Sequence, residues 1–273
     1  MMNLQGKVAF ISGGARGIGA AAALMLAQQG AKVAINYVRQ TDAAQTIVDR
    51  IREAGGTAEL AKADVREPEQ VREAVAHIEE TLGGIDILVS NAHMAFVMKP
   101  LIELQWEELA QKLNDEMKAA FTLTKAVLSG MVERKYGRII YISSGAADTA
   151  LPYMSAHGTA KGALNAYAKY VALEAGPYGI TANVISPGLV QTEASNDTPF
   201  SVKQQIAAMT PLQRVAVPND VSGAISFSGE RREPFPYGHM HICKWRDPHG
   251  VRPFLKKGML PSHIHGWVTS LFC

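Results

Sequence analysis

Short apolar runs alternate with amphipathic stretches along this chain, and that alternation constrains the fold more than any other feature. Lys7–Ile11, Lys32–Ile35, Asp86–Val89, Arg138–Ile142 and Thr181–Ile185 read as strands, with Ala58–Ala63 as a weaker sixth. Most are apolar almost throughout, as strands covered on both faces must be. Ile18–Gln29, Asp42–Ala54, Glu69–Leu82, Trp106–Lys135 and Ser155–Ala175 read as helices, each stopped by a glycine at or just beyond its end. Such alternation predicts parallel βαβ units, whose right-handed crossovers place helices on both faces of one sheet. The expected fold is α/β: a doubly wound parallel sheet in three αβα layers, with no linker that would split residues 1–227.

The bulk numbers exclude several classes. The 273 residues are 47% hydrophobic, enough for one sizeable core, and the formal net charge of +2 makes no electrostatic case for nucleic acid or an anionic membrane. The two cysteines, Cys243 and Cys273, suggest neither a disulfide framework nor a metal cluster, so a reducing compartment is the default. Met1–Lys7 lacks the basic-then-apolar order of a signal peptide, and no apolar run approaches the ~20 residues that span a bilayer. These readings predict a cytoplasmic protein with no nucleic-acid, membrane or metal partner.

Ser12-Gly13-Gly14-Ala15-Arg16-Gly17-Ile18-Gly19 follows the first strand and opens the first helix. Glycines there permit a tight turn and a close approach of backbone to a pyrophosphate, and the helix N-terminus supplies free N–H groups. The strand-before, helix-after context is what such a motif requires, so a Rossmann-type dinucleotide site is expected. The second strand should end near Asn36-Tyr37. An NAD-binding chain usually carries an acidic residue there, to bind the ribose hydroxyls. This chain has Tyr37, then Arg39, with Arg16 in the loop. Arginines without a carboxylate suit a 2′-phosphate, so NADP(H) is favoured over NAD(H). Solvated surface arginines are the alternative.

The spacing from Gly13 to Gly17 and Gly19 resembles the fingerprint of the short-chain dehydrogenase/reductase family. The resemblance runs from about Leu4 to Phe227. Asp64-Val65 is similar to the family's adenine-contacting turn, and Asn91-Ala92-His93 stands where the family has Asn-Ala-Gly. His93 reads as loop variation rather than a new catalytic group. Asn114 lies in the long helix where the family keeps a relay asparagine, and Pro187-Gly188 with Thr192 match the turn that covers the nicotinamide. The branch it most resembles is the 3-oxoacyl-(acyl carrier protein) reductases of fatty acid biosynthesis. That likeness implies oxo-group reduction, an acyl-thioester or other small-molecule substrate, and a homo-oligomer.

Family chemistry uses a serine, plus a tyrosine four residues before a lysine on one helix face. Ser144 and Lys161 are present, and Lys161 would also hold the nicotinamide ribose, but the position four before Lys161 is His157. Histidine suits proton transfer, although imidazole is shorter than phenol and Lys161 opposes its charged form. A bridging water would close that gap. Tyr153 precedes the helix and has the wrong spacing. Three readings stay open: His157 as a working acid, a cofactor-binding homologue with little or no turnover acting as sensor or partner subunit, and chemistry moved elsewhere.

After Phe227 the texture changes. Glu230–Cys273 shows neither helical period nor strand alternation, and nothing in Ser228–Cys273 resembles the strand, reading roughly Phe-x-Thr-Gly-x-x-x-x-Val-x-Gly-Gly, with which the family ends. Back-translation of Glu233–Arg246, read one nucleotide later, can spell Phe-Leu-Thr-Gly-Thr-Cys-Ile-Ser-Val-Asn-Gly-Gly. The tail therefore reads as out of frame from a point between Phe227 and Glu233, which would leave a sheet edge open. The alternative is a divergent tail. On the frame reading, its histidines, from His239 to His265, have no metal-binding role.

Overall fold

The computed structural model describes residues 3–230 and 242–244. Its elements run β1 (Val8–Ile11), α1 (Gly17–Gln28), β2 (Lys32–Tyr37), α2 (Thr41–Glu53), β3 (Thr57–Lys62), α3 (Pro68–Thr81), β4 (Ile87–Ser90), α4 (Trp106–Arg134), β5 (Gly137–Ile142), α5 (Ser155–Ala175), β6 (Ile180–Ser186), α6 (Phe200–Met209), α7 (Pro218–Glu230) and β7 (Ile242–Lys244). The strands form one sheet in the order β3-β2-β1-β4-β5-β6-β7, and every pairing is parallel. This is the expected doubly wound Rossmann-type fold.

Strand periodicity explains the continuous apolar runs. Phe10, Leu88, Ile139 and Val184 face the layer of α3, α4 and α5. Their neighbours Ile11, Ile87, Ile140 and Ile185 face the other layer, built from α1, α2 and α7. Successive residues point to opposite faces, so a strand with helices on both sides has no solvent face to fill with polar side chains. The strand order reverses between β1 and β4, and the crevice beyond their C-terminal ends is where such folds bind ligands.

Two elements depart from the sequence reading. α7 was not anticipated, although Pro218 opens it and the Asp220 carboxylate accepts a hydrogen bond from the Val217 N–H (2.7 Å). It packs on α1, and the Ser226 hydroxyl donates to Gln29 Oε1 (2.7 Å). β7 corrects the expectation that no strand follows Phe227. Ile242, Cys243 and Lys244 pair with Val184, Ile185 and Ser186. Backbone pairing on an open edge needs no side-chain alternation, which is why the pattern gave no sign of it. The rest of the tail, with its histidines, lies outside the described residues.

Candidate active site

The glycine loop is built to be approached closely. Gly13 and Gly17 take positive φ (63° and 54°), the left-handed region that favours glycine. A Cβ on Gly19 would lie 2.3 Å from the Gly13 carbonyl oxygen and 2.7 Å from Asn91 Nδ2. Asn91 locks the turn by donating to the carbonyls of Ser12 (2.9 Å) and Gly13 (3.2 Å). Its own N–H and that of Ala92 donate to Ser12 Oγ. Asn36, which the sequence reading passed over, ties the loop to β2 and β3. Its amide accepts from the Gly13 N–H (3.3 Å) and donates to Ala61 and Ala63 (3.0 and 2.9 Å). Ile18 lies in the first turn of α1, and the Thr192 methyl comes within 3.3 Å of a Cβ built on Gly17. That contact brings the segment after Pro187-Gly188 over the loop. Pro187 is buried, and its carbonyl accepts from the Gly145 N–H (3.0 Å). The loop is a cradle that fits a pyrophosphate on the N-terminus of α1.

At the adenine end, Tyr37 is buried, whereas Arg16 and Arg39 are exposed and join no ion pair among the described residues. Val65 is buried. The Asp64 carboxylate is held by Arg66 (2.7 and 3.0 Å), whose hydrogen bonds keep it below the usual carboxylate range. Any contact to an adenine would share that carboxylate with Arg66.

The reactive end lies between α4 and α5. His157 and Lys161 occupy successive turns of α5 and both are buried. Lys161 Nζ donates to the Ile142 carbonyl at the end of β5 (2.7 Å) and to Glu116 Oε1 (2.7 Å). Ser144 Oγ, two residues beyond β5, accepts from the Ala146 N–H (3.2 Å), so its own hydrogen is left to donate. Asn114 does not join them. It is exposed on α4. An α-helix turns about 100° per residue, so the position two further on faces inward instead. That position is Glu116, which takes the contact with Lys161. Glu116 also accepts from Lys112 Nζ (2.6 Å), which donates in turn to the Met94 carbonyl (2.8 Å). Sequence reading missed both, although a signal was available. The buried stripe Ala119, Ala120, Leu123, Val127 extends back at helical spacing onto Lys112 and Glu116.

Burial and the ammoniums of Lys161 and Lys112 push His157 down to about 3, so its imidazole is neutral near pH 7. The ring stacks on Phe96 (4.4 Å between centroids), and its buried Nδ1 has no hydrogen-bond partner among the described residues. An imidazolium acid at this position, as the sequence allowed, is not the resting state. Ser143 Oγ and Ser186 Oγ, at the C-terminal ends of β5 and β6, are likewise buried and unpaired. Unmet polar atoms on the ligand side of a parallel sheet fit a cofactor and substrate that supply partners. His93 is exposed, 6.1 Å from the Phe96 ring. Tyr153 is exposed, has φ 65° and borders a cavity of about 510 Å³ that also touches Leu101, Leu151, Met154 and Thr159. Among the described residues, no helix is long and apolar enough to cross a membrane.

A glycine-cradled crevice at the switch point of a parallel sheet, with Ser144 and Lys161 at its inner end, defines a nicotinamide-dinucleotide oxidoreductase. The chain belongs to the short-chain dehydrogenase/reductase family. Residues 13–241 match the family model described as enoyl-(acyl carrier protein) reductase. It is 34% identical over 230 residues to an uncharacterized oxidoreductase of Methylorubrum extorquens, covering 83% of this chain and 92% of that one. It is 32% identical over 226 residues to the 3-oxoacyl-[acyl-carrier-protein] reductase FabG of Vibrio cholerae, covering 83% and 91%. A short-chain dehydrogenase from Burkholderia cenocepacia solved in complex with NADP superposes with a TM-score of 0.77 at 31% identity, over 88% of this chain and 97% of that one.

Proposed function

We propose that this chain catalyses NADPH-dependent reduction of an oxo group, with a 3-oxoacyl thioester as its substrate class. The observation that carries this reading is Lys161, whose ammonium donates to the Ile142 carbonyl at the C-terminal end of β5, two residues before Ser144. Arg16 in the loop and Arg39 after Tyr37, both exposed and in no ion pair among the described residues, favour the 2′-phosphate of NADP(H) over NAD(H). Backbone N–H groups of Gly13 to Gly19 would hold the pyrophosphate, and the segment Pro187, Gly188 and Thr192 would cover the nicotinamide. The bound cofactor supplies hydride. Lys161 has one N–H left for the nicotinamide ribose, Ser144 would donate to the substrate carbonyl, and the neutral His157 ring is buried one helical turn before Lys161. Leu101, Leu151 and Met154, which border the cavity beside the first turns of α5, would meet the aliphatic part of an acyl chain. FabG-named relatives support the thioester. A relative named L-rhamnose 1-dehydrogenase, 31% identical, shows that this level of likeness spans other substrates.

The same reading places the protein in the cytoplasm, in fatty acid biosynthesis, and as a homo-oligomer, for which exposed Phe121, Tyr170 and Leu173 on α4 and α5 offer an apolar face. NADPH oxidation that depends on an acetoacetyl thioester, and falls about a hundredfold or more in Lys161→Ala, is the expected result. A second reading rests on His157: with no phenol and a neutral imidazole, the chain would bind the dinucleotide without turnover, as a sensor or partner subunit. NADPH binding with no oxidation across ketones, aldehydes and enoyl thioesters would establish it.

A further inference from the structure

The cluster around Glu116 holds a charge that the reaction above does not use. The Lys112 side chain is wholly buried, and an ammonium without water is tolerated only where its N–H groups are met. Two are met by the Met94 carbonyl (2.8 Å) and Glu116 Oε2 (2.6 Å), and the charge lies over the face of Phe96, 5.5 Å from its centroid. The other Glu116 oxygen takes Lys161 (2.7 Å). Lys112, Glu116 and Lys161 thus form one hydrogen-bonded chain from the loop after β4 to the end of β5, with two ammoniums and one carboxylate. His157 stands outside it, stacked on Phe96 with Nδ1 unpaired.

Charge balance gives this arrangement a direction. If Lys161 releases a proton, the cluster passes from a net +1 to neutral. Without Lys112 the same step would pass from neutral to a lone buried carboxylate, which is unfavourable. We propose that Lys161, rather than His157, gives the proton to the substrate oxygen, and that Lys112 and Glu116 are the positioning residues that hold Lys161 and keep the buried cluster neutral afterwards. The proposal rests on the reductase reading. With hydride supplied to the carbonyl carbon by the reduced nicotinamide when bound, the carbonyl π pair would move to oxygen, and that oxygen would take the one Lys161 Nζ proton not donated to Ile142 or Glu116, which in this step serves the substrate rather than the ribose. The amine regains a proton from water after release of the alcohol. His157 stays neutral throughout and serves as a hydrogen-bonding group.

The test is single-turnover oxidation of NADPH by an acetoacetyl thioester, with NADPH affinity measured separately. Lys112→Met is expected to lower the rate about a hundredfold, with NADPH affinity within about twofold. Lys112→Met combined with Glu116→Gln restores the passage from +1 to neutral and leaves no buried carboxylate behind once Lys161 has given its proton, so it should recover about tenfold or more over Lys112→Met alone. That variant also guards against misfolding of the single one. Lys161→Arg keeps the charge but holds its proton, and should bind NADPH without turnover. His157→Gln should lose less than about tenfold. Abolition of turnover in His157→Gln, or a double variant no faster than Lys112→Met, would overturn the proposal. If the unaltered protein binds NADPH but oxidises none, the reductase reading fails and the proposal falls with it, a result visible before any variant is made.

Discussion

Single residues carry most of the cofactor site, and Gly19 shows why. It opens α1 so close to the Gly13 carbonyl that a methyl group has nowhere to go: a Cβ would lie 2.3 Å from a backbone oxygen that Asn91 already holds in place. Such overpacking typically strains a site by about 1–3 kcal/mol. Gly19→Ala is expected to weaken NADPH binding about ten- to a hundredfold, read by fluorescence titration. Unchanged affinity would mean that the pyrophosphate does not bind this turn. The need for glycine was visible in the sequence, because the spacing Gly13, Gly17, Gly19 falls between a strand and a helix. The supports Asn36 and Asn91 were less so: Asn91 stood out by family likeness, and Asn36 only through contacts with β3 and the loop.

At the scale of elements, the packing of α4 on α5 decides the protonation of the reactive end. Each helix brings ammonium groups to a buried interface, and His157 lies among them. Its folded pKa of about 3 lies below the ~6.5 of an exposed imidazole, so the unfolded chain binds the extra proton between those values. The stability contributed by the neutral ring is therefore full above pH ~6.5. It is lost as pH falls toward the folded value, at up to about 1.4 kcal/mol per pH unit. Urea denaturation at pH 7, 6 and 5 should show this slope in the unaltered protein, and a flatter one in His157→Phe, which keeps the stack on Phe96. Parallel slopes would place the proton uptake elsewhere. The two helices were legible from their spacing. Their relative rotation was not, which is why Asn114 was expected where Glu116 stands.

For the whole molecule, the open question is the far edge of the sheet. β7 contributes Ile242–Lys244 alongside β6, at the position where the family's last strand would lie. We read the codons after Phe227 as displaced by one nucleotide, because the alternative frame can spell that strand with its closing Gly-Gly. Sequencing of fresh source DNA across Phe227 to Arg252 tests this directly. A chain carrying the alternative residues is expected to melt about 5 °C or more above the present one, since a strand longer than Ile242–Lys244 would pair with more of β6. Equal melting would show that the present tail closes the sheet equally well.

The sequence by itself determined the class of fold and the place of the dinucleotide, because both depend on local patterns: apolar strands punctuated by glycine, and a glycine turn between strand and helix. Spacing by itself showed only that Ser144 follows a strand and that His157 and Lys161 stack on one helix face; likeness to the family joined the three in one site. Only the tertiary structure decided what those residues can do. The neutrality of His157 arises from burial and from Lys112 and Lys161, which belong to different helices. The pairing of Lys161 with Glu116 arises from how α4 is turned against α5. Charge interactions act through space, and no periodicity along the chain records which side chains the packing brings within 3 Å of one another.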